Sequence, residues 1–218
     1  MRPINANNAL DNHHVYVCGM SGCGKTSAAK KLFIKSSDQV AIFDPLGDYH
    51  GELCNRVVRG YTKLRDFAAA LIAGRKTKKS FKIAYQPTHE TTPEEFDRFC
   101  RVVWGVGNGK RKPLKIICEE VAEHSLNAGK ATGYHGKILR LGRKFNLHSI
   151  NMFQRGQEVS KTIIDSCHFA CIMMQKTVKS AIYLENMTGI LATDINQLNK
   201  LEYLLQEGKP YKPGIIRW

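Results

Sequence analysis

One short segment near the amino terminus constrains the fold of this chain more than any other. Residues 19–26 are Gly-Met-Ser-Gly-Cys-Gly-Lys-Thr and match the pattern G-x-x-x-x-G-K-[ST] in full. Glycines at this spacing let the backbone curl so that several N–H groups point at phosphate oxygens. A helix that begins near Lys25 adds its positive end, and an apolar strand precedes the loop. The segment predicts a nucleoside triphosphate site.

Each residue type in this loop has a chemical role. Lys25 can reach the β and γ phosphates, and the Thr26 hydroxyl can hold Mg²⁺. ATP and Mg²⁺ are therefore the expected cofactors, although no base-recognition motif separates ATP from GTP. The expected nucleotide-binding residues are Gly19, Met20, Ser21, Gly22, Cys23, Gly24, Lys25, Thr26 and Ser27.

Composition narrows the class of protein. Hydrophobic residues make up 43% of the 218 residues and charged residues 24%, a balance typical of one globular domain. The seven cysteines form no C-x-x-C pair, so we expect neither a zinc ribbon nor a disulfide framework, but reduced and mostly buried thiols. No apolar stretch approaches the ~20 residues of a membrane span, and no secretory signal is present. We expect a soluble intracellular protein.

Short apolar runs alternate with longer helical patterns, which predicts an α/β fold with a mostly parallel sheet and helices on both faces. Strands are predicted at 14–18, 39–43, 80–85, 114–118, 147–153 and 168–174. Helices are predicted at 25–34, 61–73, 92–104, 133–145, 177–186 and 195–201. The C-terminal residues fit a β-hairpin. We expect a single P-loop ATPase domain over 1–218, with a core of about 14–175 and an extension of about 176–218.

An acidic pair follows the apolar strand at 114–118. A phosphate loop needs acidic groups at a second strand end to position Mg²⁺ and water, and Glu119-Glu120 is the best candidate. We expect Glu119 to contact the water around Mg²⁺ and Glu120 to act as general base. Asp44, at the end of the strand 39–43, is the second candidate for the metal position, but Pro45 and Gly47 after it indicate a turn.

Three segments in this order resemble one family. They are the phosphate loop, the strand ending in Asp44-Pro45, and a later strand ending in Gln154-Arg155, with Arg143 eleven residues before Gln154. The arrangement resembles the FtsK/HerA superfamily of ring-forming DNA-pumping ATPases over about residues 15–174. A compact chain of this kind is most similar to the genome-packaging ATPases of membrane-containing, double-jelly-roll viruses.

The resemblance implies roles for further residues. Gln154 matches the polar residue that senses the γ-phosphate, and Arg143 matches the arginine that is supplied in trans to a neighbour's nucleotide. Arg140 is a reserve candidate for the arginine, and Arg155 is a candidate for the subunit interface. The family has Asp-Glu where this chain has Glu119-Glu120, which puts the metal geometry in question but not the general base.

The basic residues point to a polyanionic partner. Lysine and arginine exceed aspartate and glutamate by 33 to 19, a formal charge of +14. Two runs, 75–82 and 110–115, are rich in cations, and the second follows a glycine-rich segment that we interpret as a flexible loop. Such loops can hold DNA phosphates without reading the sequence. The expected nucleic-acid contacts are Lys76, Lys78, Lys79, Lys110, Arg111 and Lys112.

The leading hypothesis is an ATP-hydrolysing double-stranded DNA translocase that packages a viral genome. The resemblance implies a homo-oligomeric ring, a hexamer, which docks on capsid vertex or membrane proteins without a membrane span of its own. It also implies a location at the packaging vertex of the virion and in the host cytoplasm.

Alternatives remain open from the sequence. They are a Zot-like filamentous-phage morphogenesis ATPase, a cellular translocase or resection helicase of the HerA kind, a small P-loop nucleotide or metabolite kinase, and a structural ATP-binding protein. Stimulation of ATP hydrolysis by DNA separates the motors from the kinase.

Overall fold

The computed structural model describes residues 2–124 and 129–217, in which strands and helices alternate around one nine-stranded sheet. The strand order is β3-β4-β2-β5-β6-β1-β7-β8-β9. The strands are β1 Val15–Cys18, β2 Gln39–Phe43, β3 Val58–Tyr61, β4 Phe81–Tyr85, β5 Leu114–Cys118, β6 Leu147–Phe153, β7 Phe169–Met173, β8 Glu202–Glu207 and β9 Tyr211–Ile215. Strands β1–β7 pair in parallel, and β8 and β9 add an antiparallel hairpin. The predicted fold class, including the C-terminal hairpin, is confirmed.

Helices lie between most of the successive strands. They are α1 Lys25–Ala28, which continues as a π-helix over Ala29–Phe33, α2 Leu64–Arg75, α3 Pro93–Gly105, α4 Gly133–Leu141, which continues as a 3₁₀ helix over Gly142–Phe145, α5 Lys161–Ser166, α6 Val178–Thr188 and α7 Ala192–Asn196. A further 3₁₀ turn lies at Gly156–Glu158.

The structure corrects two predicted helices. The helix predicted at 61–73 begins at Leu64, because the residues before it form the edge strand β3, which the sequence analysis missed. The helix predicted at 195–201 ends at Asn196, and Leu201 has a left-handed backbone (φ 70°). β3 carries Arg59 and Gly60 on a largely exposed edge, so it lacks the apolar run that identifies the central strands.

Two hydrophobic clusters lie on opposite faces of the sheet. Alternate side chains of a strand point to opposite faces, and in β1 Tyr16 belongs to one cluster while Val17 belongs to the other. Helices α2–α7 contribute to the first cluster. Helix α1, the segment after β2 and Ile216 cover the second. All seven cysteines are free thiols, and five of them are buried.

The part of the chain that the structure describes contains no helix with both the length and the apolar character needed to cross a membrane.

Three buried histidines lie near the amino ends of the central strands or in α4. Burial lowers the pKa of His14 to about 3 and the pKa values of His135 and His148 to about 4. His14 Nδ1 accepts a hydrogen bond from the Ser149 amide at 2.9 Å, so its neutral form is part of the packing. Between these pKa values and about pH 6.5, the three histidines are neutral in the folded chain and bind protons only when the chain unfolds.

The buried histidines predict that stability falls in acid. Because the unfolded chain binds more protons below pH 6.5, each such histidine should lower the free energy of unfolding by about 1.4 kcal/mol per pH unit toward pH 4. His135→Gln should flatten this slope by about that amount, since a glutamine amide can still donate to Asn151 as His135 Nε2 does at 2.9 Å. Urea unfolding across this pH range checks the prediction, and an unchanged slope would contradict it.

Candidate nucleotide-binding site

The parallel register brings the sequence-predicted residues to one edge of the sheet. Cys18 at the end of β1 pairs with Phe153 and Ile172, and Cys118 at the end of β5 pairs with Phe43. The carboxyl ends of these strands therefore meet. The segments that continue from them carry the phosphate loop, the acidic pair, Asp44, Gln154 and Gln175.

The phosphate loop has the curled backbone that its glycines predict. Gly22 and Gly24 have positive φ angles of 76° and 109°. A Cβ atom on Gly19 would lie 2.6 Å from Cys23 Sγ and 2.9 Å from Met173 Cβ, so no larger residue fits where β1 enters the loop. Helix α1 begins directly after the loop at Lys25. The loop thus combines a curled glycine backbone with a helix amino end, the arrangement that binds phosphate.

The Lys25 ammonium group lies inside this loop. Its Nζ donates hydrogen bonds to the carbonyl oxygens of Gly19 at 3.0 Å and Met20 at 3.4 Å, and only 8% of the residue is exposed. No carboxylate among residues 2–124 and 129–217 forms an ion pair with it. A buried cation that faces only carbonyl dipoles favours the binding of an anion such as phosphate.

The other loop residues differ in exposure. Ser21 is exposed, whereas Thr26 and Ser27 in the first turn of α1 are half-buried. The Met20 amide donates to the Met174 carbonyl at 2.9 Å and the Gly19 amide to the Phe153 carbonyl at 3.3 Å. These bonds attach the loop to the ends of β7 and β6.

Glu119 is buried at the end of β5, with 4% of its surface exposed. Its Oε1 has no hydrogen-bond partner in the described chain, and the nearby Tyr49 hydroxyl, which contacts Met152 Sδ at 4.0 Å, favours a lower pKa of the carboxyl group. Burial raises the pKa of Glu119 to about 8, and nearby carboxylates add to this effect. A buried carboxyl group with an oxygen that accepts no hydrogen bond lacks the positive partner that would stabilise its charge.

Glu120 has a different environment. It is half-buried and has a left-handed backbone (φ 46°), which is uncommon for a residue with a side chain. Its carbonyl oxygen accepts hydrogen bonds from the Glu123 amide at 3.1 Å and from His124 Nδ1 at 3.0 Å. Its carboxylate makes no hydrogen bond within the described residues. The turn therefore presents one buried and one partly open carboxylate, as a metal position and a base require.

Asp44 is engaged in a turn. Its carboxylate oxygens accept the amides of Asp48 at 2.8 Å and Tyr49 at 3.1 Å, and Gln86 Nε2 at 2.6 Å. These bonds place the Tyr49 ring in the core next to Glu119, with Lys30 Nζ 4.5 Å from the ring centre. Asp44 thus supports the acidic pair through Tyr49, a residue that the sequence analysis did not identify.

The donors at this edge fit Mg²⁺. Hydroxyl and carboxylate oxygens are the ligands that this ion prefers, and it commonly takes only one or two protein ligands beside phosphates and water. The unpartnered Glu119 Oε1 and the half-buried Thr26 hydroxyl at the start of α1 offer such a set.

Gln154 follows β6 next to the phosphate loop. Its carbonyl oxygen contacts Cys18 Sγ at 3.7 Å, and its half-buried side chain makes no hydrogen bond with the described residues. Gln175, which the sequence analysis missed, lies on the other side of β1. Its Nε2 donates to the carbonyl oxygens of Met173 at 2.9 Å and Cys18 at 3.4 Å. Gln175 thus fixes the strand end from which the loop departs.

Arg143 lies at the opposite edge of the sheet. It precedes β6, whereas Gln154 follows that seven-residue strand, a separation of about 20 Å along the strand direction. Arg143 Nη1 donates to the carbonyl oxygens of Asn8 at 2.9 Å and Leu10 at 2.7 Å and holds the amino-terminal segment. The structure therefore does not bring Arg143 to the phosphate loop of its own chain.

The two other arginines that the sequence analysis considered are exposed. Arg140 Nη1 donates to the Ala131 carbonyl at 2.7 Å, and Arg155 forms a 3.0 Å ion pair with Glu158.

The C-terminal hairpin contacts the phosphate loop. The Leu201 amide, just before β8, donates to the Cys23 carbonyl at 2.9 Å, and the Leu201 carbonyl accepts the Ile216 amide at 2.9 Å after β9. Leu201 Cδ2 lies 2.6 Å from the position of a Cβ atom on Gly24. No sequence signal pointed to Leu201, because the contact exists only after β7 and β8 have paired.

The two basic runs come together at the amino edge of the sheet. Six cations of the two runs are exposed. Five of them line one cleft of about 360 Å³ together with Gln39 and Thr77, and the sixth, Lys79, is not part of its lining. The five cations are Lys76, Lys78, Lys110, Arg111 and Lys112.

Other basic residues of these runs have partners inside the protein. Arg75 is buried beside Gln39, Lys82 Nζ donates to the Asp38 carbonyl at 3.0 Å, and Lys115 forms a 2.8 Å ion pair with Asp38. Burial lowers the pKa of Lys82 to about 8. The charge of the runs is therefore divided between the surface and the interior.

The glycine-rich segment before the second run is not a flexible loop, so that interpretation was wrong. Gly107, Asn108 and Gly109 are buried, and Asn108 pairs with Ile4 in a parallel bridge. A Cβ atom on Gly109 would lie 2.2 Å from the Asn5 carbonyl oxygen. Gly109 thus allows the amino-terminal segment to pack closely here, and Gly107 packs closely against Phe145 and Leu147.

A phage protein resembles this chain in sequence. No family model matches the chain. Protein P9 of Pseudoalteromonas phage PM2 is 27% identical over 206 residues, which cover 91% of this chain and 88% of that protein.

Solved structures extend the similarity to the fold. The genome packaging NTPase B204 of Sulfolobus turreted icosahedral virus 2, in complex with AMPPCP, has a TM-score of 0.70 at 16% identity, covering 93% of this chain and 96% of its own. VirB4 of Thermoanaerobacter pseudethanolicus has a TM-score of 0.67 at 12% identity, covering 95% and 90%. The bacterial conjugative coupling protein TrwB has a TM-score of 0.66 at 10% identity, covering 94% and 84%. The predicted resemblance is confirmed at the level of the fold: this chain has the fold of FtsK/HerA-type P-loop ATPases.

Proposed function

We propose that this protein hydrolyses ATP to translocate double-stranded DNA and packages a viral genome. The observation that carries the proposal is the carboxyl edge of the sheet. It holds a buried Lys25 that pairs with no carboxylate of the described residues, and a buried Glu119 oxygen that has no hydrogen-bond partner among them. Each group lacks the partner that a bound nucleotide and its cation provide. The similarity to a phage protein and to a viral packaging NTPase supports the biological role.

The residues of this chain divide the chemistry of hydrolysis. The amides of the phosphate loop and Lys25 hold the β and γ phosphates, and Thr26 and Glu119 hold the cation. Mg²⁺, when bound, offsets phosphate charge during phosphoryl transfer. Glu120 accepts a proton from the attacking water, and Gln154 orients that water or the γ-phosphate.

Arg143 supplies the remaining positive charge from a neighbouring subunit. Its position at the amino edge prevents it from serving its own nucleotide, so its role requires a second copy of the chain. When the same head-to-tail contact repeats from subunit to subunit until the last subunit meets the first, a ring forms, here a hexamer. Each nucleotide then lies between two subunits. The ring docks on the capsid vertex or on viral membrane proteins, and the protein acts in the host cytoplasm and at the packaging vertex of the virion.

DNA should stimulate ATP hydrolysis several-fold, because movement along DNA couples the two activities. The steady-state ATPase rate should be measured with and without double-stranded DNA, together with the particle mass in both conditions. We expect a rise in rate and a particle of several subunits with DNA. A monomer that transfers phosphate to a small acceptor and ignores DNA would instead support the kinase alternative.

Glu120→Gln should abolish hydrolysis but preserve ATP binding. The amide has nearly the same shape but cannot accept the proton, so the rate should fall by about 10²–10⁴-fold. Glu123→Gln, on the next exposed position of the same segment, is the matched control and should keep the rate. A fluorescent ATP analogue and a phosphate-release assay measure the two properties. Equal rates for the two variants would remove Glu120 from its role.

A further inference from the structure

Arg75 is a buried cation without a counter-ion at the end of α2. Only 3% of the residue is exposed, and no acidic side chain in the described chain pairs with it. Its Nη1 donates to Gln39 Oε1 and to the Lys112 carbonyl at 2.8 Å. Its Nε and Nη2 are buried and have no hydrogen-bond partner. Buried polar groups are nearly always paired, so these two donors point to a missing acceptor.

The surroundings of Arg75 add positive charge. Arg111 donates from Nη1 to the Arg75 carbonyl, and burial together with Arg111 lowers the pKa of Arg75 to about 10. The guanidinium therefore stays charged at neutral pH. Asp38, the residue before Gln39, is engaged by Lys115 at 2.8 Å and by the Lys35 amide at 2.7 Å.

A cleft lies next to this guanidinium. Both hydrogen-bond partners of Arg75, Gln39 and Lys112, line the cavity of about 360 Å³ described above. Five of its seven lining residues are cations, and none is acidic. We call it the Arg75 cleft, lined by Gln39, Lys76, Thr77, Lys78, Lys110, Arg111 and Lys112.

The walls of the Arg75 cleft are fixed before any ligand arrives. Gln39 Nε2 donates to the carbonyl oxygens of Thr77 at 3.2 Å and Lys79 at 2.9 Å. Asn146 Nδ2 holds the Arg111 carbonyl at 2.9 Å. Two further bonds, from Arg75 Nη1 to the Lys112 carbonyl and from Arg111 Nη1 to the Arg75 carbonyl, join the two basic runs into one preorganised surface.

We propose that the Arg75 cleft binds a phosphate group, and that in the working protein this is a backbone phosphate of DNA. The exposed lysines and Arg111 supply direct donors, while the buried Arg75 charge makes the site selective for anions. The assignment to DNA rests on the proposed function, whereas the phosphate chemistry does not. The cleft lies at the amino edge of the sheet, so it is separate from the nucleotide site at the carboxyl edge.

A charge-matched pair of variants tests the proposal. The cleft variant carries Lys78→Gln, Lys110→Gln and Lys112→Gln, and the control variant carries Lys161→Gln, Lys209→Gln and Lys212→Gln, which are exposed and lie outside the cleft. Affinity for a short DNA duplex is measured without ATP by fluorescence anisotropy at several salt concentrations. The cleft variant should bind at least about 10-fold more weakly, with a salt slope smaller by about 1, because the contact with one phosphate is lost. The control should change far less.

Inorganic phosphate distinguishes the source of the ligand. Because phosphate also fits the nucleotide loop, this test uses chains that carry Lys25→Met. Their thermal midpoint should rise with added phosphate, and adding the cleft substitutions or Arg75→Gln should remove this rise. If phosphate stabilises the protein through the cleft while DNA affinity is unchanged in the cleft variant, the DNA assignment is overturned. If cleft and control variants weaken DNA binding equally, and neither alters the response to phosphate, the site itself is overturned.

The two proposals fail in distinguishable ways. DNA binding that depends on the cleft without any DNA-stimulated hydrolysis would leave the phosphate site intact and remove the motor. Should Arg75→Gln not fold, the cleft variant, which changes only exposed side chains, still decides between the outcomes.

Discussion

The parallel pairing of β1 between β6 and β7 positions the nucleotide site. It fixes where the phosphate loop begins, because the Gly19 amide bonds to the end of β6 and the Met20 amide bonds to the segment after β7. The same sheet extends through β6 to β5 and so sets the position of Glu119. A shift of one residue would turn Tyr16 and Val17 to the wrong faces, so both hydrophobic clusters hold the register.

The two edges of the sheet have opposite roles. The carboxyl edge holds the phosphate loop and the acidic pair, whereas the amino edge holds Arg143 and the Arg75 cleft. The formal charge of +14 is therefore not one uniform surface. Some of it is internal, as in Lys82 and Lys115, and some is concentrated far from the nucleotide site. In the proposed ring, movement at each subunit contact would link ATP hydrolysis at the carboxyl edge of the sheet to the binding of a DNA phosphate at the amino edge.

The sequence was sufficient for the features that depend on local chemistry. Buried parallel strands are almost wholly apolar, so β2, β5 and β6 could be placed within a residue, and the loop and the acidic pair carry their own spacing. It was insufficient where a role arises from tertiary contact. Tyr49 reaches Glu119 only through the Asp44 turn, and Leu201 reaches the phosphate loop only through the hairpin. The glycines at 107 and 109 were misinterpreted because close packing and flexibility favour the same residue.

In the proposed ring two subunits build each active site, and mixing two inactive variants tests this arrangement. Arg143→Ala keeps the phosphate loop but lacks the arginine, whereas Lys25→Met keeps Arg143 but lacks the lysine of the loop. Each variant alone should therefore be nearly inactive. Thermal unfolding checks that both variants fold. In an equal mixture, sites with the nucleotide loop from one variant and Arg143 from the other should restore up to about a quarter of the wild-type ATPase rate. A mixture as inactive as its components, in particles shown to contain both variants, would contradict the shared site.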